Sequence, residues 1–245
     1  MNIKKLTIPG LSLLMISSGM VSAQQQMSLS PLDTGSVFQP AALFSPVFYT
    51  SPGNERHAPD GAPGASYWQN HCDYRIDAML DTMQNTLMAA EYITYTNSSP
   101  DSLSYIWLQL DQNTYRPDAR SNFNSDSTAG GHTSGYVLDS VFLQHGTHQE
   151  KVKYIVKDTR MQIRLTQALS PRGGQLRLFI RYHYTVPGSF GGRTDYLRTE
   201  NGKIYEIAQW FPRMCVYDAL AGWNTLPFLG SGEFYLEYGD IDYRI

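Results

Sequence analysis

The chain has 245 residues, 42% of them hydrophobic and 17% charged, with a formal net charge of −3. That length suits one large all-β domain or two small ones, and the composition supports a core beneath a polar surface. There is no basic excess to attract nucleic acid or anionic lipid, and two cysteines cannot build a cysteine-rich zinc site.

Lys4 and Lys5 precede a short apolar run at 11–21, and Val21-Ser22-Ala23 offers small residues for cleavage. The run is too short to span a bilayer. The pattern predicts an export signal over 1–23 and a periplasmic or extracellular mature chain, with no membrane span. Residues 24–66 are rich in Pro, Gly and Ser and show little periodicity, which predicts an extended leader with Arg56 and His57 solvated. Cys72 and Cys215 either pair in an oxidising compartment or remain two separate buried thiols; sequence alone does not set their distance.

Alternation begins after Tyr67-Trp68. Tyr74, Ile76, Ala78 and Leu80 alternate with Arg75, Asp77 and Met79, which predicts a strand with one buried face. Residues 81–85 read as a turn and 87–96, rich in Tyr, Ile and Thr, as a longer strand. A turn at 97–101 leads to a third strand over 103–110. These three read as an antiparallel meander. Residues 112–135 are a long polar loop. A strand at 136–143 is followed by a loop carrying His145 and His148. Residues 152–156 and 161–165 form a hairpin over Lys157-Asp158-Thr159, and 176–186 is a strand ended by Pro187. The Gly-rich stretch 190–202 leads into 204–218, an aromatic segment running to a turn. Residues 233–245 alternate again, with Phe234, Leu236 and Tyr238 before Gly239-Asp240 and Ile241, Tyr243 and Ile245 after it. That alternation predicts a last strand with one buried face, stopping in mid-pattern, so the domain is expected to be truncated at its C-terminal end. No segment holds a helical period. About ten strands are expected.

No complete active site assembles from these residues. None of the six histidines begins a His-Glu-x-x-His motif, and there is no Gly-x-Ser-x-Gly elbow. His145-Gly-Thr-His148 with Glu150 has a possible ligand spacing, but a solvated loop explains it better. Glu233, Glu237, Asp240 and Asp242 read as the polar face of a strand rather than an acid–base pair. Asn97-Ser98-Ser99 fits either a glycosylation acceptor or a turn.

Three stretches carry a resemblance. The first is Tyr67-Trp68-Gln69 followed by residues 73–81. The second is residues 90–103 leading to Ile106-Trp107-Leu108-Gln109-Leu110. The third is Ile207-Ala208-Gln209-Trp210-Phe211-Pro212-Arg213, then Val216-Tyr217-Asp218 and Gly232-Glu233-Phe234-Tyr235. In this order and spacing, residues 67–245 resemble the N-terminal domain of the aminopeptidase N family of zinc metallopeptidases, secreted bacterial type. The resemblance implies an all-β fold, an antiparallel, saddle-shaped β-sandwich packed on a thermolysin-like catalytic domain. In the family the zinc motif and the exopeptidase loop lie beyond this point, so no cofactor is expected in this chain and zinc only in the catalytic domain it lacks. The implied partners are that domain, in cis or in trans, and a peptide N-terminus; no activity is expected of the chain alone. The family places a Gln or Glu after the strand matching 204–208 to accept a hydrogen bond from the substrate α-amine, and Gln209 stands there. The family usually shows Gln-x-Glu or Gln-x-Gln, whereas this chain has Gln209-Trp210-Phe211. The alternative is a free-standing secreted β-sandwich module for peptide or glycan, suggested by 17 tyrosines and 4 tryptophans. Either way, the face around Trp210, Phe211, Trp223 and Phe228 is expected to be partly exposed and to drive self-association.

Overall fold

A computed structural model describes residues 53–124, 131–188, 193–229, 232 and 234–245. The predicted export segment, the leader up to residue 52, and Gly130, Ser189, Gly191, Gly192, Ser231 and Glu233 lie outside the described residues. The fold described below belongs to one unit, Pro52–Ile245.

The architecture is an all-β sandwich. Among the described residues there are fourteen strands and two short 3-10 turns. The larger sheet contains β1 (His71–Asp81), β2 (Thr86–Asn97), β4 (Val137–His145), β5 (His148–Lys151), β8 (Gly174–Thr185) and β14 (Ile241–Arg244), in the order β14-β1-β2-β8-β4-β5. The smaller contains β3 (Leu103–Gln109), β6 (Lys153–Lys157), β7 (Arg160–Leu169) and β11 (Arg213–Met214), in the order β11-β3-β7-β6. Two two-stranded ribbons complete it: β9 (Thr194–Thr199) with β10 (Gly202–Ile207), and β12 (Tyr217–Asp218) with β13 (Gly222–Trp223).

Alternation builds the core. On β2 the inward residues Leu87, Ala89, Glu91, Ile93 and Tyr95 are all buried. Leu178, Ile180, Tyr182 and Tyr184 continue that face on β8, and Ile106, Leu108, Met161 and Ile163 meet it from the smaller sheet. Residues alternate across a strand, so each strand contributes one wall of this interior. The hairpin over residues 157–159 is present, with Asp158 at φ 55° in its turn.

Several expectations are corrected. The first three strands are not a meander: β2 pairs with β8, while β3 crosses to the smaller sheet and pairs with β7. The buried amide of Asn97 explains the crossing, because its Nδ2 donates to the carbonyls of Asp101 (2.8 Å) and Ser170 (3.0 Å) and folds the chain over the sandwich edge. That commitment decides for the turn at Asn97-Ser98-Ser99. The sheet is not wholly antiparallel, since β14 runs parallel to β1. The alternating tail has no buried face there: Ile241 and Tyr243 on β14 are 51% and 61% exposed. An edge strand in parallel register gains main-chain bonds without placing its side chains between the sheets. His145 and His148 face each other across the β4–β5 hairpin rather than sitting in a loop. Residues 112–135 include 3-10 turns at Asp111–Tyr115 and Arg120–Asn124. Arg56 and His57 are half-buried, and the His57 ring meets Tyr67 edge-on at 5.8 Å.

Candidate functional site

Asp111, Gln112 and Asn113 follow the apolar strand β3 directly and are buried despite their polarity. A buried polar group must find a partner, and each of these reaches across the sandwich for one. Asp111 pairs with Arg213 of β11, Oδ2 to Nη2 at 2.5 Å. Asn113 donates to the Asp158 carbonyl (2.9 Å) and accepts the Tyr136 N–H (2.9 Å). Gln112 donates through Nε2 to the carbonyls of Ala208 (2.8 Å) and Gln209 (3.1 Å) and to the Thr194 hydroxyl (3.1 Å). Gly135 makes the approach possible: at φ 65°, a Cβ there would overlap Asn113 Oδ1.

These contacts converge on the segment after β10. Gln209 has φ 45°, a left-handed conformation unusual for a residue with a side chain. Strain of this kind persists only where surroundings over-determine it, and here they do. The Tyr136 hydroxyl donates to the Gln209 carbonyl (3.1 Å), and the hydroxyls of Tyr184 (3.2 Å) and Tyr182 (3.4 Å) donate to the Trp210 carbonyl. The Thr194 hydroxyl donates to the Ala208 carbonyl (3.0 Å). Burial pushes the Tyr136 hydroxyl well above the usual phenol range, with its neighbours Tyr184 and Tyr182 adding to the shift, so it remains a donor across the physiological range. The carbonyls of three successive residues are thereby fixed, and the half-buried Gln209 side chain is left at the wall of a cavity of about 330 Å³. Asp111, Gln112, Thr114, Tyr115, His132 and Arg193 also line it, together with the apolar Phe228 and Leu229, so the wall is mixed.

Of the sequence-predicted residues, Gln209 lines this cavity. Sequence reading missed Asp111, Gln112 and Tyr136, although a run of three polar residues directly after an alternating strand was a usable signal. His145 Nε2 meets Glu150 at 2.9 Å on an exposed hairpin, apart from this cavity. Among the described residues no group of three or more His, Cys, Asp or Glu could hold a metal ion. Cys72 and Cys215 are free, buried thiols, not a disulfide. Burial raises both, Cys215 to about 12, so neither is a thiolate near neutral pH. Glu237 is buried enough for its carboxyl to rise to about 7 while it accepts the Tyr217 N–H at 3.0 Å.

No protein-family profile matches the chain, and no curated protein matches it. Solved structures do show a weak similarity. An M1 zinc metallopeptidase from Deinococcus radiodurans aligns at 16% identity with a TM-score of 0.30, over 50% of this chain and 22% of that one. A two-domain M1 zinc metallopeptidase variant bound to L-arginine aligns at 16% identity with a TM-score of 0.32, over 53% of this chain and 26% of that one. The chain thus spans about a quarter or less of the length of these structures.

Proposed function

We propose that the chain is a non-catalytic β domain of an exported zinc metallo-aminopeptidase, and that Gln209 accepts a hydrogen bond from the free α-amine of a peptide. The observation that supports this reading is the fixed, left-handed Gln209 at the wall of a cavity. Buried donors hold the Gln209 main chain, so the point from which its side chain projects is fixed before a ligand arrives. An amide oxygen is a suitable acceptor for an ammonium, and a charged donor makes that bond stronger than a neutral one. The zinc and the bond-breaking chemistry belong, on this reading, to a separate catalytic domain.

Titration calorimetry with a tripeptide and its N-acetylated form tests the reading. The free amine is expected to bind about tenfold or more tightly than the acetylated form, and Gln209→Ala is expected to abolish the difference. Equal affinities for the two forms would sink it. The second reading, a secreted module for glycans, is favoured by the exposed rings of Tyr235, Tyr238 and Tyr243. Saturable binding of a defined glycan, lost on replacing these tyrosines with alanine, would favour the module instead.

A further inference from the structure

The face of the larger sheet that turns away from the core carries a row of soft donors. Met79 of β1 stands directly opposite Met88 of β2, and Met88 directly opposite His183 of β8. All three belong to the outward set of their strands. Met79 is 59% exposed, Met88 is half-buried, and the His183 side chain is 39% exposed. Together they line a hollow of about 380 Å³ on that face. Cβ atoms directly opposite one another across antiparallel strands lie roughly 5 Å apart, so two flexible thioethers and an imidazole can reach a common point above Met88. The next outward residue on β2 is Ala90, whose single methyl group leaves room in the hollow.

His183 is already oriented. Its Nδ1 lies 3.0 Å from Asp139 Oδ2. A carboxylate only accepts, so Nδ1 donates and Nε2 keeps its lone pair. Asp139 sits where β4 slips register against β8, between Leu138 and Ser140. An extra residue of this kind re-aims a side chain, and here it brings the carboxylate to the ring. A carboxylate behind an imidazole fixes its tautomer and raises its basicity as a metal ligand.

We propose that Met79, Met88 and His183 bind one soft monovalent cation, copper(I), with Asp139 as the positioning residue behind His183. Thioether ligands select copper(I), whereas carboxylates and carbonyls suit hard cations. The charges around the hollow agree with that choice: Asp77 and Asp139 are matched by Arg181 and Arg244, and Arg244 Nη2 is 2.7 Å from Asp77. No net negative field gathers divalent ions, so selection falls to the ligand atoms. The thiols of Cys72 and Cys215 do not compete, because both are closed to solvent while the fold holds. The site shares no residue with the cavity beside Gln209 and is independent of the reading given to that residue.

The test is an anaerobic titration of the full chain with copper(I) in competition with the chelator bicinchoninate. The native chain is expected to withdraw copper(I) from the chelator. Met79→Leu, Met88→Leu and His183→Gln are each expected to weaken that binding about tenfold or more, and Asp139→Asn about tenfold. These side chains lie on the outward face, so thermal unfolding should be little changed. Met83→Leu, in the turn beside the row, is the control and should bind as the native chain does. Methyl NMR of the native chain with silver(I), a redox-inert stand-in, is the second measurement and needs no variant to fold. The Met79 and Met88 methyl signals are expected to shift together and to saturate with one equivalent. Failure to withdraw copper(I) overturns the proposal, as do native affinity in folded Met88→Leu or His183→Gln and silver(I) shifts confined to other methionines. Zinc(II) that competes as well as copper(I) overturns the choice of a soft cation. Native affinity in folded Asp139→Asn overturns the role given to Asp139.

Discussion

Glu91 projects from the middle of β2 into the core, is 0% exposed, and has neither carboxyl oxygen hydrogen-bonded to a described residue. Burial pushes its carboxyl well above the usual range, so the neutral acid is the form that the folded protein holds. Because the folded value lies above the unfolded one, its contribution to stability is complete below the unfolded value, near pH 4.5, and is lost as pH rises towards the folded value. Replacing it by an apolar residue of similar volume removes both the unpaired oxygens and the pH dependence. Glu91→Met is expected to stabilise the fold at pH 8 by roughly 1–3 kcal/mol and to change it much less at pH 5. Thermal unfolding at the two pH values checks this, and destabilisation at both would show that the carboxyl has a partner or packing role. Glu237 behaves alike over a narrower window. With burial raising it to about 7, stability should fall between about pH 4.5 and 7 by on the order of 2 kcal/mol. Glu237→Gln should flatten that slope, and an unaltered slope would assign it to another group.

At the scale of elements, the attachment of β14 to β1 depends on one close approach. Cys72 N–H donates to the Tyr238 carbonyl and Tyr74 N–H to the Asp240 carbonyl, both at 2.8 Å. Gly239 lies between these bonds, and a Cβ there would overlap the carbonyl oxygen of Cys72. The obstacle is backbone, not a flexible side-chain tip, so it cannot move aside cheaply. The exposed Asp77–Arg244 pair, 2.7 Å apart, contributes little against that clash. Gly239→Ala is therefore expected to release β14 while leaving β1, β2 and β8 intact. Hydrogen exchange should show protection lost over residues 238–244 and retained across Leu87–Tyr95. Full protection of β14 in the variant would refute the claim. The β3 strand shows the opposite case: both its edges are paired, with β7 and β11, so no single contact controls it.

For the molecule as a whole, the face expected to be partly exposed is so at Trp210, Trp223 and Phe228 but not at Phe211, and the most exposed apolar groups lie around it. Phe211 is buried, edge-on to Tyr74 at 5.2 Å, and Trp210, Trp223 and Phe228 are half-buried. More exposed groups in the C-terminal part of the described residues include Leu220, Leu226, Leu229, Phe234, Tyr238, Ile241 and Tyr243. Apolar surface of this kind beside an open strand edge favours association between copies. The full chain is expected to show a mass in light scattering that rises with concentration, and Ile241→Lys with Tyr243→Lys to lower it. A monomer at every concentration would count against the surface being adhesive.

The sequence by itself determined which residues face inward along β1, because alternation is a local property written in consecutive residues, and it located the strands β2, β7 and β8. It also determined the β6–β7 hairpin, whose turn chemistry lies within three residues. Gln209 was legible only through the family resemblance. It did not determine that β3 leaves β2 for β7, or that β14 runs parallel to β1, because a period of two specifies a face and not a neighbour. Nor did it bring Gln209 to Asp111, Gln112 and Tyr136, which are separated from it by 73 or more positions. That assembly is decided by tertiary structure, where buried donors must be matched with acceptors from distant strands once the two sheets close over the core.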